Sequence, residues 1–152
     1  MKAIIFLLII AAVGFGIYYF FIADSPAYST YKNFANAVAR GDKEEALLFA
    51  QGPEIIRGPE QNRYQTAGGM PVAAETGIRY THESETKNAD GSVTIQAMQS
   101  VHFDPPGATS AMGAMIAKYR QTATLSKSSG KWIVTSFKED FVEMRNWKGE
   151  KQ

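Results

Sequence analysis

The chain contains no cysteine. Disulfide scaffolds, thiol nucleophiles, thiolate metal sites and sulfur-linked lipid anchors are therefore excluded together. A surplus of either charge is missing as well. Beyond Ala23 the chain keeps 15 of its 16 Lys and Arg residues, Lys2 being the other, against 15 Asp and Glu. That balance leaves no overall basic field to hold a nucleic-acid backbone. Internal repeats and low-complexity stretches are absent too, which removes solenoid and collagen-like architectures. What is present is one long apolar run and a domain-sized remainder.

The apolar run extends from Ala3 to Ala23, 21 residues without a charge and all apolar except Gly14 and Gly16. As a helix it reaches roughly 30 Å, the hydrocarbon thickness of a bilayer. A cleaved signal peptide is the competing reading, with small residues at Ala12-Val13-Gly14. A cut there leaves Phe15 to Ile22 as an exposed apolar tail, and a cut after Ala23 requires bulky Phe21 three positions upstream. The expectation is an uncleaved single-pass anchor over residues 1–23 and an extracytoplasmic domain over residues 24–152. Lys2 before the span and Asp24 after it place the short end in the cytoplasm. Tyr18 to Phe21 form an aromatic cluster at the outer interface, and Ala12 with Gly16 forms a small-x-x-x-small pair.

Past the span, Asp24 or Ser25 caps a helix whose first turn accepts Pro26. Tyr31, Phe34, Ala35 and Val38 give it one apolar face, and Gly41 stops it. Asp42 caps a second helix with Glu45 at capping-box spacing, Ala46, Leu47, Phe49 and Ala50 forming its apolar side before Gly52-Pro53. From Pro53 to Gly77 the pattern is loop-like, with Ile55-Ile56 suggesting a short helix.

The second half alternates as strands do. Ile78 to Thr86 and Val93 to Phe103 flank Asn88-Ala89-Asp90-Gly91, where a two-residue Asp-Gly turn pairs Ile78 with Phe103 and Tyr80 with Val101. Ile78, Tyr80, His82, Ser84, Thr86, Ile95, Ala97, Gln99, Val101 and Phe103 then share one face, with His82 facing Gln99. Met115 to Leu125 and Trp132 to Phe141 form a second hairpin, and a four-residue turn at Lys127-Ser128-Ser129-Gly130 pairs Lys118 with Glu139. Asp104 to Gly113 reads as a loop between the hairpins. Helices followed by a meander predict an α+β domain, with helices packed on a curved antiparallel sheet.

The run Tyr31 to Asp42 with Glu45-Ala46, together with the closing Gly130-Lys131-Trp132-Ile133-Val134-Thr135-Ser136-Phe137, resembles the nuclear transport factor two-like superfamily, the cystatin-like α+β cone. The resemblance implies a concave face under the helices that encloses a pocket. Members of that superfamily include isomerases, dehydratases, ligand-binding modules, bacterial domains of unknown role and membrane-anchored periplasmic domains of secretion machines, so the resemblance does not by itself select a function. Tyr80, His82 and Gln99 are then the candidate ligand-binding residues. His82 is either a general acid or base, a ligand-orienting group, or a buried histidine satisfied by its neighbour. The ten face positions of the first hairpin include no Asp or Glu to serve as a base of the ketosteroid-isomerase type. His82 and His102 point to opposite faces, so no metal site forms.

The expected function is a non-catalytic interaction module, with no cofactor, at the cytoplasmic membrane with its domain in the periplasm or outside. Its partners are the bilayer, through Ala3 to Ala23, and a membrane or envelope protein, as in a secretion or pilus machine. A tethered pocket protein for a small apolar ligand, with weak enzymatic potential, is the alternative.

Overall fold

The computed structural model describes residues 24–56, 77–103 and 115–146. Among these residues no helix is long and apolar enough to cross a membrane. The Ala3 to Ala23 span lies outside the described residues, as do the Asp104 to Gly113 loop and residues 57–76.

The described chain is α+β: α1 (Pro26–Arg40), α2 (Lys43–Leu47), β1 (Ile78–Lys87), β2 (Val93–Phe103), β3 (Met115–Ser128) and β4 (Lys131–Asn146). The strands make one open antiparallel sheet in sequence order.

The start of α1 follows from cap chemistry. Ser25 Oγ accepts the Tyr28 amide at 3.0 Å, and Pro26 occupies the first turn, where its missing amide costs nothing. At the other end Gly41 adopts φ +73°, so its amide reaches Val38 O and the Asp42 amide reaches Ala37 O. Only a residue at ease in the left-handed region closes a helix this way. Tyr31, Phe34, Ala35 and Val38 are all buried, as the spacing predicts.

The second helix is shorter than expected. Asp42 Oδ1 does accept the Glu45 amide at 2.9 Å, but α2 stops at Leu47, and only Ala46 is buried within it. The chain then pairs with the sheet. The Val134 amide donates to Phe49 O at 2.8 Å, and the Gln51 amide donates to Val134 O at 2.9 Å. Edge strand β4 offers backbone groups that outcompete another helical turn, and the segment covers part of that edge. Leu47 and Leu48 are left exposed. Residues 54–56 are helical, and Ile55 and Ile56 are buried.

Both hairpin registers differ from the sequence expectation. In the first, Gly91 at φ +82° donates to Asn88 O, and the Asn88 amide donates to Ser92 O. Three residues, Ala89, Asp90 and Gly91, thus form the loop, and Gly91 supplies the left-handed position after the turn. Lys87 therefore pairs with Val93 and Glu85 with Ile95. A bulge at Glu83 shifts the register again, so Tyr80 pairs with Gln99, His82 with Ala97 and Ile78 with Val101. The predicted Tyr80 to Val101 and Ile78 to Phe103 pairs are replaced. The bulge also rotates Glu85 and Lys87 onto the helix-covered side and sends Ser84 and Thr86 to the other.

In the second hairpin the loop is Ser129-Gly130 alone, with Ser128 paired to Lys131. Both loop residues have positive φ, 50° and 82°, the requirement of a tight hairpin turn whose twist matches the strands. Bulges at Thr135 and Val142 follow on β4. Thr135 turns its hydroxyl onto Thr124 O at 3.1 Å, satisfying a carbonyl where the ladder is interrupted. All three bulges sit on the edge strands β1 and β4, where they bend the strand and blunt pairing with other chains.

The core lies between α1 and the inner sheet face. Tyr31, Phe34, Ala35, Val38, Ile95, Ala97, Ala123, Leu125 and Val134 form its centre, with Ala46, Ile55 and Ile56 at its side. Val101, Ala117 and Tyr119 make a separate buried cluster toward the far end of the sheet, with Met144 against it.

Candidate functional site

Between these two apolar clusters the inner face turns polar. Gln99 on β2 and Gln121 on β3 are wholly buried, and Glu139 on β4 is 3% exposed. Strand alternation places them there. Gln121 continues the inward series Leu125, Ala123, Gln121, Tyr119, and Glu139 lies directly opposite Gln121. From α1, Tyr31 and Asn36 reach the same row, and Tyr80 reaches it from β1.

The hydrogen bonds run in one connected chain. Tyr31 Oη donates to Gln121 Oε1. Gln121 Nε2 donates to Gln99 Oε1 at 3.1 Å and to Glu139 Oε2 at 2.5 Å, using both amide hydrogens. Gln99 Nε2 donates to Tyr80 Oη at 2.8 Å, and that hydroxyl donates to Asn36 Oδ1 at 2.9 Å. Gln121 commits its amide oxygen and both amide hydrogens to groups of the protein itself. Six side chains from five elements are thereby tied together across the interior. In a water-poor interior each bond is worth about 1 kcal/mol net, whereas a stranded partner costs about 1–3 kcal/mol.

Of the three residues singled out from the sequence, Tyr80 and Gln99 meet in this row, and His82 does not join it. His82 is exposed and faces Ala97 rather than Gln99. Its ring stacks on Tyr28 at 4.2 Å between centroids with an 18° tilt. Neither a histidine inside the pocket nor a buried one satisfied by Gln99 describes it. The Glu83 bulge and the three-residue loop move His82 two positions from its expected partner while leaving it on the helix-covered side, and its position on edge strand β1 leaves the ring open to solvent. Tyr28 in turn carries a hydroxyl pKa raised above the ordinary tyrosine value, first by burial and second by the negative charge of Asp24.

Glu139 corrects a second expectation. The four-residue turn pairs it with Lys118; the two-residue turn and the Thr135 bulge instead set it opposite Gln121 on the inner face. An acid is thus present on the inner face, supplied by the second hairpin instead of the first. Alternation alone carried a signal for it, because Phe137, Glu139 and Phe141 share a parity and Phe137 and Phe141 are large and apolar. Tyr31, Asn36, Gln121 and Glu139 are the residues of the row that the sequence reading did not single out.

The outer face is charged toward its far end. Lys118 Nζ lies 2.9 Å from Glu143 Oε1, and Arg145 Nη2 lies 2.8 Å from Glu143 Oε2. The hydrogen bonds from Lys118, then Arg145, hold the Glu143 carboxyl below the ordinary carboxylate range. A lowered folded-state value gives stability that is present above the unfolded value and lost as pH falls through the folded one. Urea unfolding of the wild type and of Glu143→Gln should therefore show a gap at neutral pH that closes under acid conditions. An unchanged gap in acid contradicts the assignment.

In the comparison with known proteins, the sequence matches no family model and no curated protein.

Proposed function

We propose that the chain is a membrane-anchored, extracytoplasmic interaction module of the nuclear transport factor two-like type, without catalytic activity, serving an envelope assembly. One observation carries the non-catalytic part: the six side chains of the polar row on the inner face hydrogen-bond one another. A catalytic or ligand-binding site needs donors and acceptors that converge on a substrate atom. Here Tyr31, Gln121, Gln99, Tyr80, Asn36 and Glu139 converge on one another. With the interior closed in this way, recognition falls to the outer sheet face and the loops. The apolar span of Ala3 to Ala23 supports the tether, which raises the local concentration of the domain near membrane partners.

The absence of cysteine makes the test clean, since a single introduced thiol is labelled alone. Gln96→Cys on the exposed outer face, carrying a photo-cross-linker, should give a discrete protein adduct in the native membrane. The same cross-linker on Lys43→Cys, beside the helices, should give far less. Equal labelling at both positions, or no adduct at either, contradicts a partner surface on the sheet.

A further inference from the structure

We infer that Ser92 and Asn88 clamp the exposed Asp90-Gly91 pair of the first hairpin against isomerisation to isoaspartate, and so preserve the register that sets Tyr80 opposite Gln99. Asp90-Gly91 is the single Asp-Gly pair of the chain, and Asn-Gly does not occur. Both residues are exposed at the hairpin tip. Glycine has no side chain to shield its amide nitrogen, so that nitrogen approaches a neighbouring carboxyl carbon more easily than the nitrogen of any other residue does. The dipeptide that makes the turn is thus also the chain's most reactive aspartate site.

In the reaction the Gly91 nitrogen attacks Asp90 Cγ, and one carboxyl oxygen leaves as water with the proton of the carboxylic acid and that of the Gly91 amide. A five-membered succinimide results. Water then opens the ring: cleavage at Cγ restores aspartate, whereas cleavage at the Asp90 main-chain carbonyl leaves the chain running through Cβ and Cγ. The water lost in the first step is regained in the second, so no oxidant or reductant enters. Three things are required of the tip: a free Gly91 amide, a carboxyl free to turn onto it, and a proton on that carboxyl.

The folded tip opposes all three. The Gly91 amide is committed to Asn88 O at 3.1 Å. Asp90 Oδ1 accepts the Ser92 hydroxyl at 2.6 Å and the Ser92 amide at 2.9 Å, so the carboxyl is held by the residue beyond Gly91. Those bonds, the hydroxyl first and the amide second, keep the Asp90 carboxyl below the ordinary aspartate range, which makes the protonated form scarce. The hydroxyl is itself aimed. Asn88 Nδ2 donates to Ser92 Oγ at 2.9 Å and to Thr94 Oγ1 at 3.0 Å, which leaves the Ser92 proton for Asp90. Ser92 is only 4% exposed, and the Asn88 amide donates to Ser92 O at 2.8 Å to close the loop. An extra main-chain carbon between Asp90 and Gly91 breaks this closure, and with it the pairing of Lys87 with Val93 from which the register of β1 and β2 begins.

The test ages the full chain in detergent micelles at neutral pH and reads isoaspartate at residue 90 by peptide mapping with electron-transfer fragmentation. In urea the pair is unclamped and sets the upper rate. Folded wild type should isomerise at least about a hundredfold more slowly, because two hydrogen bonds to a charged group hold the carboxyl. Ser92→Ala loses one of them and should isomerise about tenfold faster than wild type while remaining folded. Phe34→Leu, which weakens the core and leaves the tip intact, should keep the wild-type rate. Aged Ser92→Ala protein should then unfold at lower urea than fresh protein. Folded wild type that isomerises as fast as the unfolded chain overturns the clamp, as does a Ser92→Ala rate equal to wild type. Equal acceleration by Phe34→Leu and Ser92→Ala overturns it too, since general unfolding then sets the rate. An unchanged urea midpoint in fully isomerised protein overturns the link to register.

Discussion

Replacing Gln121 by alanine is expected to cost about 3–6 kcal/mol, a large share of the roughly 5–15 kcal/mol that holds an ordinary domain folded. The side chain receives the Tyr31 hydroxyl and donates to both Gln99 and Glu139. Its loss removes a bond from three buried polar groups at once and opens a cavity between β2 and β4. Gln121→Met separates those contributions, because methionine restores most of the volume and none of the hydrogen bonds. If the row is a structural network, the methionine variant should recover only the smaller, packing part of the loss. A methionine variant as stable as wild type, measured by urea unfolding, would show that the bonds contribute nothing.

Phe34→Ala is expected to cost about 3–5 kcal/mol for a different reason, the emptying of a fully buried aromatic site. Phe34 is 0% exposed and meets Phe137 edge to face at 5.0 Å between centroids. It joins the middle of α1 to edge strand β4 at the heart of the larger core cluster. Phe34→Leu keeps most of the apolar volume and should lose less than half as much, mainly the ring contact. Leu48→Ala provides the contrast. Leu48 is 76% exposed, so its truncation should move stability by less than about 0.5 kcal/mol. Equal losses at Phe34 and Leu48 contradict the placement of the core.

The elements of this fold were legible where local chemistry decides them. Ser25, Pro26 and Gly41 bound α1 through capping and backbone preferences, which act within a few residues and are written in the local sequence. The α+β class followed from the change of hydrophobic period at Ile78. What escaped was register. Ser129 lies in a left-handed conformation that glycine, asparagine and aspartate adopt more readily, so Ser129-Gly130 gave a weaker sign of a two-residue turn than Asp90-Gly91 did. The bulges at Glu83, Thr135 and Val142 arise from pairing across strands and leave no short-range mark.

Those shifts decided the candidate site. His82 stays on the helix-covered side with Tyr80, but the three-residue loop and the Glu83 bulge together move its partner from Gln99 to Ala97, and its place on edge strand β1 leaves it exposed. Tyr80 and Gln99 kept their shared face because the two displacements together preserve parity. Glu139 and Gln121 became visible as partners only once the β3–β4 register was fixed by the Ser129-Gly130 turn.

The central claim is a tethered domain with a closed interior, and a native intact-mass measurement on the protein extracted from its own membrane tests both parts at once. The account predicts a chain that retains Ala3 to Ala23 and carries no bound small molecule. A species shortened by 14 or 23 residues, or one holding a small ligand that is released on unfolding, would contradict it.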